Sequence, residues 1–388
     1  TRDVVVGDIN QDGWDDLVIG NYAQPDRLHL NSGLEQGELG IGFDIDVLDK
    51  DYRTTALALG NVDDDDKLEL VVGTENDDIL LVNFYNNADP EAFEMSFERL
   101  EDADVNTTSL VLADVDDDSD LDLVVGVHGA ADRLYLNDGS GSFSLAGSGF
   151  GAADGKTTVL ATANLDGDAQ LELLVGTEDG GVFVFDFGTT NYGTGSLITG
   201  TATWKVTAIA VGDLDADGEL ELVVGTESDG LKLVQQQSGT TFSSTSTELA
   251  SNVITDSVGV ERPLAVTDVA IADVDADGDQ DLVVANWYGP SRLYLNSGTG
   301  LGDPQNITDD SRGVTSIALG QISTADEVEE PPSDDPLELV LGVDRLPSRF
   351  YTLDTVEDNT GTGSETGYVF GSDLGIDARL SRAVAADD

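Results

Sequence analysis

The sequence predicts an all-β chain, a seven-bladed β-propeller of four-stranded antiparallel blades. Three observations predict it. A run of alternating acidic residues followed at once by an apolar segment recurs seven times, at spacings of 53, 53, 50, 49, 60 and 48 residues. Each recurrence sits in the same order of short alternating segments and Gly-rich turns, with no helical periodicity. Four such segments in about 50 residues, repeated along the chain, is the pattern of propeller blades.

Taken in order, the recurring stretches are "GDINQDGWDDLVIG" from Gly7, "GNVDDDDKLELVVG" from Gly60, "ADVDDDSDLDLVVG" from Ala113 and "ANLDGDAQLELLVG" from Ala163. "GDLDADGELELVVG" from Gly212 and "ADVDADGDQDLVVA" from Ala272 follow, and a seventh, "GQISTADEVEEPPSDDPLELVLG" from Gly320, carries an insertion. Before each loop lies an alternating strand rich in Ala and Gly, such as "VTAIAVGD" (Val206–Asp213), which suits the crowded centre of a ring. After it come a more apolar second strand and then a third, "RLHLN" at Arg27 and "RLYLN" at Arg133 and Arg292. A weaker fourth strand completes the unit. "QQQSGTTFSSTSTELAS" (Gln235–Ser251) reads as an external loop. Residues 1–380 are thus one propeller whose units start near residues 1, 54, 107, 157, 206, 266 and 314.

The loops carry oxygen side chains at positions one, three, five and nine in six units. These are Asp8, Asn10, Asp12, Asp16; Asn61, Asp63, Asp65, Glu69; Asp114, Asp116, Asp118, Asp122; Asn164, Asp166, Asp168, Glu172; Asp213, Asp215, Asp217, Glu221; and Asp273, Asp275, Asp277, Asp281. Alternating oxygens on a tight loop wrap a hard cation, and flexible carboxylates suit calcium better than magnesium. Up to six structural calcium ions are expected. An EF-hand would need a bidentate Glu at position twelve, where Val284 stands, so that reading fails. Glycine at the turn favours the loops with Gly13, Gly218 and Gly278. Ser119 and Asp66 are less suited, Ala169 least, and the seventh loop, with Gln321, Ser323 and Ala325, is expected to bind nothing. The competing reading is an acidic surface without ions, but a solvated charge run has no reason to keep this register.

At these residues the chain resembles the VCBS/FG-GAP repeats, the blade type also found in the integrin α-subunit propeller. The resemblance covers nearly the whole chain, although the Phe-Gly/Gly-Ala-Pro signature is missing. It implies calcium between the first two strands of each blade.

The chain has 388 residues and a net charge of −60, with 77 acidic residues against 17 Lys plus Arg. Nucleic acid and anionic lipid are poor partners for it. Disorder, the usual consequence of such charge, is at odds with 39% hydrophobic residues falling in regular runs. There is no cysteine, hence no disulfide framework. No run is long enough for a membrane helix, so direct membrane insertion is not expected. The surplus acidity points to a high-salt setting, or else to a calcium-rich or cell-wall one. The triplets at Asn106 and Asn306 fit a secreted protein, and an extracellular or cell-surface location is expected. "TRDVVVGD" at residues 1–8 already reads as a strand, so the chain is expected to be a mature or trimmed portion of something longer.

The function expected is binding, adhesion or surface assembly with a glycan or protein ligand. Strand alternation puts the acidic loops on one face and the turns after the second strands on the other. Tyr22, His128, Trp204, Trp287 and Tyr288 fall on that other face, as platforms for sugar rings or a partner, or as shields for blade ends. Arg27, Arg133, Arg292 and Arg349 recur at the third strand as structural partners for carboxylates. No catalytic motif appears, and the alternative is a polysaccharide-active enzyme of the lyase type on a calcium propeller. "SRAVAADD" at residues 381–388 aligns with residues 1–8. It begins an eighth repeat, closes the ring, or is donated to a neighbouring molecule as a route to self-assembly.

Overall fold

The computed structural model describes residues 1–31, 44–46, 52–63, 65–85, 94–100, 105–147, 149–151, 155–168, 170–187, 195–243, 245–249, 252–255, 261–298, 300–308, 313–322, 337–344, 346, 348–357 and 364–374. Ser323, Ala325, Ala169 and residues 381–388 lie outside them.

Among the described residues the secondary structure is all strand. The strands of each sequence unit pair antiparallel in chain order, as in Asp3–Gly7, Asp16–Gly20, Arg27–His29 and Asp44–Asp46, and units two and three join into one eight-stranded sheet where Glu69–Asp77 pairs Val105–Ala113. The second strands, such as Asp122–Val127 and Asp281–Asn286, are buried along their full length. That is why they read as continuous apolar runs rather than as alternating ones. Unit five departs from the pattern. The stretch expected as an external loop contains part of Leu231–Ser238, then Thr241–Phe242 and Thr247–Glu248, and buries Gln236 and Phe242. A further hairpin, Val253–Thr255 with Glu261–Pro263, accounts for the long spacing before unit six.

The first strands pack side by side in cyclic order. Asp3–Gly7 lies against Thr54–Gly60, which lies against Val105–Ala113, then Thr157–Ala163, Val206–Gly212, Val266–Ala272 and Val314–Gly320, and the last returns to Asp3–Gly7. Apolar side chains of adjacent units share cores. Leu57 and Leu70 pack with Val18 and Leu28, and Ile19 packs with Val340 and Phe350.

Side-chain hydrogen bonds cross every one of these junctions. In six units the first strand skips one residue in its register, a β-bulge at Thr55, Thr108, Thr158, Thr207, Thr267 and Thr315. Each of these hydroxyls donates to a carbonyl of the next unit. The distances are 2.7 Å to Thr107, 2.8 Å to Thr157, 2.8 Å to Val206, 2.7 Å to Val266, 2.8 Å to Val314 and 3.4 Å to Thr1. Unit one has Arg2 at that place, and there Thr54 donates instead to Asp26 at 2.7 Å.

Candidate metal loops and the opposite face

Every acidic loop is a compact turn held by its own carboxylates. Asp273 at position one accepts the N–H groups of Asp277 and Gly278 at 3.1 and 2.9 Å, and Asp8, Asp114 and Asp213 do the same in their loops. Position five accepts the N–H two residues on, as Asp217 does from Glu219 and Asp168 from Gln170. Gly13, Gly218 and Gly278 have positive φ as expected, and so do Asp66 and Ser119. The sequence did not betray a second left-handed residue, at position four: Gln11, Asp117, Ala216 and Ala276 have φ between 57 and 62. Alanine rarely adopts this conformation, so the two alanines mark local strain that the loop's other bonds offset.

Position nine begins the second strand and is buried: Asp16, Glu69, Asp122, Glu172, Glu221 and Asp281. Each accepts the N–H of position two, for example Ile9 to Asp16 at 2.9 Å and Leu214 to Glu221 at 2.8 Å. In unit seven Glu338 does this for Ile322 at 2.9 Å, so the insertion leaves that closing bond intact. Burial, more than the neighbouring carboxylates, raises these acids: Asp16, Glu69 and Glu221 to about 7, Asp122 and Asp281 to about 6, and Glu172 upwards. Five loops bring three carboxylate oxygens within 4.8 Å of one another. The groups are Asp63, Asp65, Glu69; Asp114, Asp116, Asp122; Asp166, Asp168, Glu172; Asp213, Asp215, Glu221; and Asp273, Asp275, Asp281. The carboxylates of loop one, Asp8, Asp12 and Asp16, are not among these groups, and there the Asn10 amide donates to Asp12 at 3.0 Å.

The donor set fits a hard cation. Asn61 Oδ1 and Asp275 Oδ1, at loop positions one and three, are buried and have no hydrogen-bond partner, so each is an acceptor without a donor. Positions one, three and nine would hold the ion in loops three, five and six, and positions three, five and nine in loops two and four; Asp118, Asp217 and Asp277 at position five are not in the converging groups. In loop two Lys67 also pairs with Asp65, an internal cation at position seven that sequence reasoning passed over.

On the opposite face the predicted residues do not make one platform. Trp204 is only 9% exposed and packs with Leu174, Val182 and Val206, so it is core, because the segment before unit five folds inward there. Tyr22 hydrogen-bonds Glu75 and lies between the guanidinium groups of Arg2 and Arg53, at 5.2 and 5.6 Å from its ring. His128 meets Glu178 at 3.3 Å. Trp287 stacks edge-on with Tyr288 at 6.3 Å and covers Gly313, while Tyr288 is 64% exposed. Tyr22, Glu75, His128, Glu178, Glu227 and Trp287 occupy one register position, fourteen residues after each loop start. Arg53, Lys156 and Lys205 pair with Glu75, Glu178 and Glu227, so scarce cations gather there. Among the contacts of the third-strand arginines, Arg133 reaches the Tyr135 hydroxyl, Arg349 that of Tyr351, and Arg292 the Val253 carbonyl.

Among solved structures the chain is similar to BBS1N in complex with ARL6DN, at 15% identity and TM-score 0.55 over 88% of each chain. It is also similar to Sqt1 from Chaetomium thermophilum, at 14% identity and TM-score 0.55, covering 94% of this chain and 85% of that one. Likeness at this identity speaks to the propeller-like fold alone. No curated protein matches the chain by sequence. The FG-GAP repeat description matches residues 1–33, and the FG-GAP-like repeat description matches residues 114–175 and 164–224. Residues 1–33 and 114–224 therefore match repeats of the FG-GAP type.

Proposed function

We propose that the chain is a seven-bladed, calcium-stapled propeller that acts outside the cell or on its surface, in binding, adhesion or surface assembly with a glycan or protein ligand. The observation that carries the metal reading is the recurrence of converging carboxylates beside buried acceptors with no donor, Asn61 Oδ1 and Asp275 Oδ1. A calcium ion there would neutralise the crowded charge and tie the first strand to the second. The cyclic packing of the first strands supports seven blades. FG-GAP repeats support a binding module rather than an enzyme. The ligand side is the face opposite the loops, with Tyr288, Trp287, Tyr22 and His128 and the paired cations. A saline habitat accounts for the charge the ions leave uncancelled. Self-assembly would use residues 381–388.

The test is thermal unfolding in molar sodium chloride with and without a calcium chelator. Sites that bind only the folded chain each contribute about 2.7 kcal/mol at a hundredfold excess over the dissociation constant. Chelation should lower the midpoint clearly, and an unchanged midpoint would overturn the metal reading. Incubation with acidic polysaccharides should leave them intact; new unsaturated ends would overturn the binder.

A further inference from the structure

The residue that ends the third strand of several units reaches out of its own unit. Asn137 Nδ2 donates to the Val62 carbonyl at 2.6 Å and to Leu121 at 3.1 Å. Val62 is position two of the preceding unit's acidic loop, and its own N–H is held by Glu69 at 3.0 Å. Val62 is therefore held through both of its peptide groups: Glu69 holds the one before it from within the loop, and Asn137 of the next unit holds the one that leads into Asp63.

The same contact recurs at the same place. Asn296 Nδ2 donates to the Leu214 carbonyl at 2.7 Å, and Asn31 Nδ2 to Ile322 at 2.6 Å. Gln236 Nε2 donates to the Leu165 carbonyl at 2.6 Å, a different amide doing the same work. All four side chains are buried. Phe84 and Phe187 stand at this position in units two and four and offer no donor, so the side-chain clasp does not form over loops one and three. Over loop six the Val274 carbonyl takes the backbone N–H of Leu337 at 3.0 Å instead.

We propose that Asn137, Gln236 and Asn296 are cross-unit positioning residues, each setting the cation affinity of the acidic loop in the unit before it: loops two, four and five. This rests on the metal reading above. The amide touches no cation. It holds the position-two peptide, so the carboxylate at position three is presented in place rather than ordered on binding, and preorganisation of this kind raises affinity by cutting the ordering cost. Loop affinity is thereby a property of two units. A loop's own carboxylates and its turn glycine do not alone decide it.

The experiment is calcium titration by calorimetry on the full chain. Asn296→Ala should weaken one site, and Asn137→Ala another, each by about three- to tenfold, the worth of one hydrogen bond. The weakened sites should be those abolished by Asp215→Asn in loop five and Asp63→Asn in loop two, and the remaining sites should stay within about twofold of the parent. Combining Asn296→Ala with Asp215→Asn should show no further loss of affinity. Asn296 also accepts three N–H groups of its own turn, so its truncation risks the fold. Asn137 Oδ1 has no partner, so Asn137→Ala removes only the donor bonds and decides if the other variant fails to fold. Folded variants that melt earlier yet bind like the parent, or that weaken at all sites alike, would overturn the clasp. A parent that takes up no calcium would overturn the metal reading itself.

Discussion

At the scale of single residues, the most telling groups are carboxylates buried outside the acidic loops. Asp26 is 2% exposed, and burial raises it to about 7 although it accepts hydrogen bonds from the Asn21 N–H at 2.6 Å and from Thr54. Asp132 plays the same part with Val127 and Thr157 and is raised to about 6. The sign follows from linkage. A carboxyl whose folded value lies above its ordinary 3.8 keeps its proton in the folded chain where the unfolded chain has lost it. Stability therefore falls as pH rises from about 4 to about 7. Asp26→Asn keeps the shape and removes the charge. Its melting midpoint relative to the parent should be higher at pH 8 than at pH 5, and an equal offset at both would refute a buried charge at this site.

At the scale of elements, each junction between units has, among its polar contacts, one of two recurring bridges besides the threonine ladder. Where no amide clasp forms, an inner residue five before the loop crosses instead. Asp3 takes the Leu57 N–H at 2.7 Å, Ser109 takes that of Leu160 at 3.1 Å, and Asp268 takes that of Ile317 at 2.8 Å. The four other junctions have Asn31, Asn137, Gln236 and Asn296, and their inner residues Ser316, Ala56, Val159 and Ala208 form no such bridge. The second strands also set the distance between units. A Cβ on Gly225 would stand 2.5 Å from Val266 Cγ1 of the next first strand, and one on Gly73 would stand 2.4 Å from Thr107. Unit six has Ala285 at this place. Gly225→Ala should destabilise by about 1–3 kcal/mol through overpacking. Chemical denaturation would measure it, and a change below about 0.5 kcal/mol would mean that the strands part easily.

At the scale of the whole molecule, charge dominates. A net charge of −60 repels itself across distances that salt shortens from roughly 10 Å at 0.1 M to about 3 Å at 1 M. At fixed calcium the melting midpoint should climb steeply as sodium chloride is raised from 0.1 to 2 M. A flat profile would remove the case for a saline habitat. Among the described residues no helix is long and apolar enough to cross a membrane.

The all-β class and the four-stranded antiparallel sheets were legible because side-chain alternation and apolar runs are local signals, repeated often along the chain. The clustering of loop carboxylates was legible for the same reason, as was the left-handed turn at Gly218 and Gly278. Three things were decided only by tertiary structure. Trp204 is core rather than surface, because burial depends on what folds over a residue and not on its neighbours in sequence. Gln236, read as part of an external loop, is a buried clasp on Leu165, a partner 71 residues away. The asparagine of "RLYLN" looked like the end of a strand, yet its donor goes to the neighbouring unit, 75 residues back at Val62 and 82 back at Leu214. A sequence repeat reports what each unit does for itself; what one unit does for the next appears only when the chain brings distant backbone carbonyls within hydrogen-bonding distance.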